Sequence, residues 1–439
     1  MASRTSGPGV FGTFGAMLTA QVVGAVLGLL FWIVVARFVD AEQVGIAAAA
    51  IAAQTVLGLV GTMGLQTLMM AELPHLEAAR RRTMVHAALL ASLLAGAAVG
   101  LVVVGGHDVL GTTLRRAVEV PGGAVVFVLG AGAASAAHVV DGAAVGVERN
   151  AVQVWRNFIA SSLRFPLAAA LVAVGHRDAV DLQVVWVLPL LLSIVIARLR
   201  LQLEPLGDAE SPLRGRGGYY ARRSLAHHWL TLAISAGSQL VPVLAGLLLM
   251  PRDNAAFAIA WMLASFVFLP PFLLATALFA HGASVGIGEL RRSMQSTLPA
   301  ALALSGLLCL GAWVLGKPVL LLFGGDYPDA SWLLLSLLVP GGLWMVFKDH
   351  LVALWRAQER HVFATVLASL SVVVEMTGAT VGGLGWGATG LCAGWLLGCA
   401  VSALAALPLL RSAFRGLEWV PPTRVVAELV ASVRGGDRA

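Results

Sequence analysis

Charge is scarce in this sequence. Only 12% of its 439 residues are Asp, Glu, Lys or Arg, about half of the roughly 25% usual in soluble domains. With 59% apolar residues and a mean hydropathy of +0.87, the chain has more apolar surface than a water-soluble packing of this length would need. It is expected to be an integral membrane protein. Cysteine is scarce too. Cys309, Cys392 and Cys399 are the only three, all within apolar runs, with no CxxC and no Cys/His ligand spacing. That argues against a disulfide framework and against a zinc site. No cofactor is expected beyond a coupling proton or sodium ion. Paired carboxylates, HxxxE and nucleophile–base constellations are missing, and the outer loops are too short to carry an active site, so the chain is not expected to be an enzyme. The pI near 9.9 does not imply a nucleic-acid partner, because the arginines sit in short gaps between apolar runs and form no patch.

What the sequence has instead is a series of long apolar runs. A helix needs about 20 such residues to cross a bilayer core. Twelve segments qualify: 14–36, 44–68, 84–104, 122–145, 156–175 and 183–200, then 228–250, 255–280, 297–323, 331–352, 361–382 and 386–410. The runs are continuous, which excludes a β-barrel, whose strands would alternate. The first run is longer than the core of a signal peptide and is expected to remain as a helix. The only long polar break is RLRLQLEPLGDAESPLRGRGGYYARRS, between the sixth and seventh segments. Placing the N-terminus in the cytosol puts 21 of the 29 Lys and Arg residues on the cytosolic side and six outside. The remaining two, Arg164 and Lys348, lie inside or near the ends of spans. That asymmetry predicts an N-in, C-in protein with an even number of spans.

The two halves echo one another. RRTM at 81–84 returns as RRSM at 291–294, each before a third span of its half. Glu148-Arg149 returns as Glu359-Arg360, 211 residues later. FVDAEQVGIAAAAIA after the first span resembles MPRDNAAFAIAWML after the seventh, with Asp40 matching Asp253. The expected fold is all-α, with two pseudo-symmetric six-helix lobes around a central cleft. Residues 1–205 form the N-terminal lobe, 206–225 a cytosolic inter-lobe linker, 226–410 the C-terminal lobe and 411–439 a cytosolic tail. Six spans per half make the repeats parallel, related by an axis along the membrane normal.

Three stretches carry a family resemblance: ARFVDAEQVGIAAAAIAAQTVLGLVGTMGLQTLMMAELP, LLLFGGDYPDASWLLLSLLVP, and WRAQERHVFATVLASLSVVVEMTGATVGGLGWGATGLCAG. They resemble Wzx-type polysaccharide biosynthesis flippases of the multidrug/oligosaccharidyl-lipid/polysaccharide exporter superfamily. Val44 departs from the pattern, which often has an aromatic residue before the following glycine. The resemblance implies a multi-pass protein of the cell membrane. It would move an undecaprenyl-pyrophosphate-linked oligosaccharide from the cytosolic to the outer leaflet by alternating access. Its partners would be membrane lipids, the anionic lipid-linked saccharide and polysaccharide polymerase or assembly proteins. The alternative within the superfamily is a multidrug or metabolite exporter driven by a proton or sodium gradient.

Charged residues inside spans are costly, and so are functional candidates. Arg164, in NFIASSLRFPLAAALVAV, is the deepest base, and the 211-residue offset pairs it with Glu375 in ASLSVVVEMTGATV. Arg164 is expected to bind phosphate and Glu375 a coupling proton or cation. The alternative is that each pairs within its own lobe, or with the other. Asp141 and His138, one turn apart, form a candidate proton relay or mark the end of their helix. Lys348, Asp349 and His350 are expected at the cytosolic end of the tenth span, with Lys348 snorkelling outward. Arg37, which matches a recurrent arginine of the resembled family, is a candidate for pyrophosphate binding or an interfacial anchor. Gln21, Gln54, Gln66 and Gln239 are candidates for sugar hydrogen bonds or for bonds between helices. Gly390, Gly394 and Gly398 form a GxxxGxxxG that predicts close helix packing.

Overall fold

The computed structural model describes residues 10–203, 217–282 and 287–413. Within these the chain is helical almost throughout. The first part holds α1 (Val10–Phe38), α2 (Ala41–Gly61), α3 (Leu65–Glu72), α4 (Ala78–Gly105), α5 (Thr112–Glu119), α6 (Gly123–Gly146), α7 (Asn150–Ala173) and α8 (Ala179–Arg200). The second holds α9 (Gly217–Leu248), α10 (Pro251–Gly282), α11 (Ile287–Leu320), α12 (Tyr327–Leu338), α13 (Gly341–Ala357) and α14 (His361–Ala413).

Among the described residues, eight helical stretches are long and apolar enough to cross a membrane, which makes this a multi-pass membrane protein. They lie in α2, α4, α6, α8, α10, α11, the continuous run Tyr327–Ala357 and α14. Twelve spans were expected from the sequence. In α1 and α9 the apolar stretches among the described residues are Gly24–Phe38 and Gln239–Leu248. Helix α7 is diluted by Arg156, Asn157 and Arg164. Helix α14 merges two expected spans across a bend at Trp386 and Gly387, where the backbone leaves helical geometry. Part of the expected linker, up to residue 216, lies outside the described residues. Its remainder, 217–225, is the first part of α9. Most of the expected tail, from residue 414, also lies outside them.

The chain forms two compact units. One holds Val26–Ala258 with Leu322–Gly325; the other holds residues up to Ala25, Ile259–Leu321 and residues from Asp326 onward. In the first unit, small residues bring the helices together. A Cβ on Gly58 would overlap Ala134, and one on Gly61 would overlap Gly96. Gly96 and Gly132 let α4 and α6 approach to backbone contact. Without a hydrophobic force between helices in lipid, such close packing is what holds them together. Gly45 of α2 lies against the carbonyl of Pro251, and Asn254 donates its side-chain amide to Gly45 O at 2.8 Å.

The Glu-Arg pairs mark two turns of identical construction. After α6, Val147, Glu148 and Arg149 donate to Ala143, Val145 and Ala144 at 3.0, 3.0 and 2.8 Å. After α13, Gln358, Glu359 and Arg360 donate to Leu354, Arg356 and Trp355 at the same three distances. Both glutamates sit at φ 59°, the left-handed position of a Schellman cap that glycine usually fills. Every partner is displaced by 211 residues, so the repeat seen in sequence extends to backbone hydrogen bonds at these turns.

Candidate functional site

In the first unit, the buried charge closest to the α6–α7 turn is an ion pair between neighbouring helices. Asp141 on α6 and Arg156 on α7 form a bidentate bond, Nε to Oδ1 and Nη2 to Oδ2, both at 2.6 Å. The side chains are only 6% and 7% exposed. Planar fork-to-carboxylate geometry of this kind is the strongest form of ion pair. Arg156, one of the 21 basic residues counted on the cytosolic side, is buried. Asp141 is held by that guanidinium rather than by His138, which is half-buried one turn earlier.

Arg164 lies two turns further along α7 and has no carboxylate partner among the described residues. Its guanidinium carbon stands 3.4 Å from the ring centroid of Trp186 on α8, and its Nε is buried without a hydrogen-bond partner. Trp186 belongs to an aromatic cluster with Phe31 and Trp32 of α1, at centroid distances of 5.7 and 6.5 Å. A cation over an indole face is stabilised by about 0.5–2 kcal/mol. The ring leaves the guanidinium edge free to donate to an anion, because stacking uses only the face.

The glutamines separate by environment. Gln54 is buried and donates to Gln183 Oε1 at 3.1 Å, a bond from α2 to α8, which is the inter-helix role considered for it. Gln21 and Gln239 are exposed, as is Arg37, whose stem packs beside Gly324. Gln66 is half-buried on α3.

In the second unit, Lys348 does not snorkel. It is buried on α13 and donates to Glu375 Oε1 on α14 at 2.7 Å, with side-chain exposures of 11% and 3%. The expected match of Glu375 with Arg164 by offset is a match of position only; the partner of Glu375 is Lys348 of its own unit. The backbone of Glu375 is covered by Gly398, where a Cβ would stand 2.6 Å from Glu375 Cα. Gly394 and Gly390 meet Gly378 and Gly382 in the same way, so the GxxxGxxxG joins the two arms of α14. Asp349 follows Lys348, and its Oδ2 is buried without a hydrogen-bond partner. No group of three or more metal-ligating side chains occurs among the described residues.

The two ion pairs thus repeat a scheme with reversed sign. Asp141 precedes the α6–α7 turn and Arg156 follows it; Lys348 precedes the α13–α14 turn and Glu375 follows it. The first pair had a signal in sequence. Its members lie seven and eight residues from Glu148, which makes them neighbours across a tight helical hairpin. Trp186 had no such signal, because an aromatic residue in an apolar run looks the same whether or not a cation stacks on it.

No family model and no curated protein matches the sequence. Solved structures do match. A multidrug resistance MATE family transporter of the MOP superfamily in an inward-facing conformation gives a TM-score of 0.71 at 14% identity, over 90% of this chain and 96% of that one. The outward-facing conformation of such a transporter gives 0.63 at 15%, over 92% and 96%. A MOP superfamily transporter from Pyrococcus furiosus, described as having a binding pocket of reverse polarity that suggests a different function, gives 0.63 at 15%, over 92% and 96%. The chain shares the fold of the MATE transporters of the MOP superfamily.

Proposed function

We propose that this protein is a gradient-driven exporter of the plasma membrane that works by alternating access and carries a cargo with an anionic group. Its twelve spans would form an N-in, C-in protein with lobes at 1–205 and 226–410. The likeness in fold to MATE transporters in inward-facing and outward-facing conformations supports the exporter. The anionic cargo rests on one observation: Arg164 stands against Trp186 with no carboxylate to neutralise it, while the nearby Asp141 is consumed by Arg156. An unmatched charge inside a membrane span is costly unless a ligand or water meets it. A cationic drug would find no free carboxylate at this place.

A second reading is favoured by the same arginine. A flippase for an undecaprenyl-pyrophosphate-linked oligosaccharide, acting with a polysaccharide polymerase or assembly proteins, also needs a cation to receive phosphate. One experiment addresses both. Purified protein in liposomes is loaded with anionic or cationic fluorescent amphiphiles, and a deletion strain is assayed for lipid-linked oligosaccharide in each leaflet. The exporter reading expects efflux of the anionic probe, its loss in Arg164→Ala, partial retention in Arg164→Lys and unchanged leaflet pools. Accumulation of oligosaccharide in the inner leaflet would replace it with the flippase. Full activity of Arg164→Ala at normal expression would remove the anion site from both.

A further inference from the structure

In the first unit, the end where α4 begins and α8 finishes gathers cations that no acid meets. Met84 and Val85 of α4 pack into one buried core with Ala197 of α8, so the two helices come together there. Beside that core, Arg198 donates its Nε to His86 Nε2 at 2.7 Å, and its Nη2 meets the same ring nitrogen. The imidazole accepts, so it brings no opposing charge. Arg82 stands close enough for its own charge to act on both. The other bases nearby are engaged. Arg80 faces Glu77 at 3.5 Å, Arg81 donates to the Leu76 carbonyl at 3.0 Å, and Arg149 donates to Gln202 Oε1 at 2.6 Å. Arg82 and Arg198 have no carboxylate partner among the described residues. His86 is exposed and both arginines are half-buried, so the cluster is open to a ligand.

We propose that Arg82, His86 and Arg198 form a seat for the phosphodiester of an anionic phospholipid. Three observations carry this. Guanidinium forks pair bidentately with phosphate oxygens, and two of them converge here from separate helices with their charge uncompensated. The cluster occupies the first turns of the apolar stretch Arg80–Gly105 and the last turn of Ala179–Arg200, which is the level of lipid headgroups. Exposed apolar side chains then run on from it. On α4, His86, Leu90 and Leu94 are exposed at steps of four residues, which places them on one helix face. On α8, Leu192, Val195 and Leu199 are exposed. A phospholipid uses both parts, the cations for its phosphate and the apolar rows for its acyl chains; a soluble phosphate ester would use only the first. An anionic headgroup fits better than a zwitterionic one, because a choline or ethanolamine cation would be brought toward two arginines. The seat lies outside the Arg164 site and makes no demand on the cargo, so it stands or falls apart from the exporter reading.

The test is native mass spectrometry of the purified full chain in detergent, titrated with phosphatidylglycerol or with phosphatidylcholine of the same acyl chains. Wild-type protein is expected to hold phosphatidylglycerol about tenfold more tightly. Arg82→Gln/Arg198→Gln should remove that preference. Arg80→Gln/Arg81→Gln, an equal loss of charge from neighbouring bases that have partners of their own, should keep it. Arg198→Lys, which retains the charge and loses the fork, should keep part. A double variant at 82 and 198 that still prefers phosphatidylglycerol overturns the seat. So does an equal loss in Arg80→Gln/Arg81→Gln, since the attraction would then belong to the basic segment as a whole. Displacement of the lipid by excess glycerol 3-phosphate would assign the cluster to a soluble phosphate ester and overturn the lipid. If the variant at 82 and 198 does not fold, the wild-type chain decides: equal retention of the two lipids refutes the proposal.

Discussion

Replacing Arg156 by Met removes the guanidinium from α7 and leaves Asp141 facing apolar helix surfaces. Both oxygens of Asp141 are used at 2.6 Å, and the carboxylate is 7% exposed, so water cannot substitute for the lost partner. Breaking a buried pair from one side costs about 3–5 kcal/mol. At about 1.4 kcal/mol per factor of ten, that is roughly two to three and a half powers of ten in the folding equilibrium. Removing both members, as in Asp141→Leu/Arg156→Met, returns the desolvation cost of two ions and should lie close to wild type or above it. The charge swap Asp141→Arg/Arg156→Asp should recover part of the single-variant loss, because the α13–α14 hairpin already carries base before acid. Reversible unfolding in mixed detergent micelles, followed by tryptophan fluorescence, measures all four proteins. A single variant that costs less than about 1 kcal/mol, or a double variant as unstable as the single, would refute this reasoning, since the pair would then be neither dry nor strong.

Other consequences are open to the same kind of measurement. Glu148→Gly and Glu359→Gly should each stabilise by about 0.5–1 kcal/mol, because the left-handed backbone costs an L-residue about 1–2 kcal/mol and glycine returns part of that as unfolded-state entropy. A loss of stability in either would show that the glutamate side chain holds its turn. Gly394→Ala places a methyl group against the Gly378 carbonyl and should cost about 1–3 kcal/mol by overpacking. Gly385→Ala, with open space around it, should be nearly silent, and equal effects at the two sites would contradict the packing described for α14.

Hydropathy made the helices legible, because length and apolar content are local properties of the chain. It also picked out α7, although Arg156 and Arg164 lower its mean, but it could not show that one is paired with Asp141 and the other lies on Trp186. The duplicated turns were visible as Glu-Arg pairs, yet their left-handed geometry was not, since no glycine marks it. Lys348 and Glu375 are 27 residues apart, and only the crossing of α13 and α14 joins them. Sequence placed Lys348 at a helix end because long side chains usually reach water. The buried acceptor that overrides this preference lies on another helix.

The contacts within α14 imply a mechanical property. Its two arms touch through backbone at Gly378–Gly394 and Gly382–Gly390, and at Glu375–Gly398, with no side chains between to act as bearings. Arms interlocked at three levels cannot slide along each other; they tilt or rotate as one strut. Trp386, 75% exposed at the bend, caps that strut with the residue type that favours the lipid–water boundary. A displacement at the level of Glu375 is therefore carried along the paired arms toward the bend at Trp386.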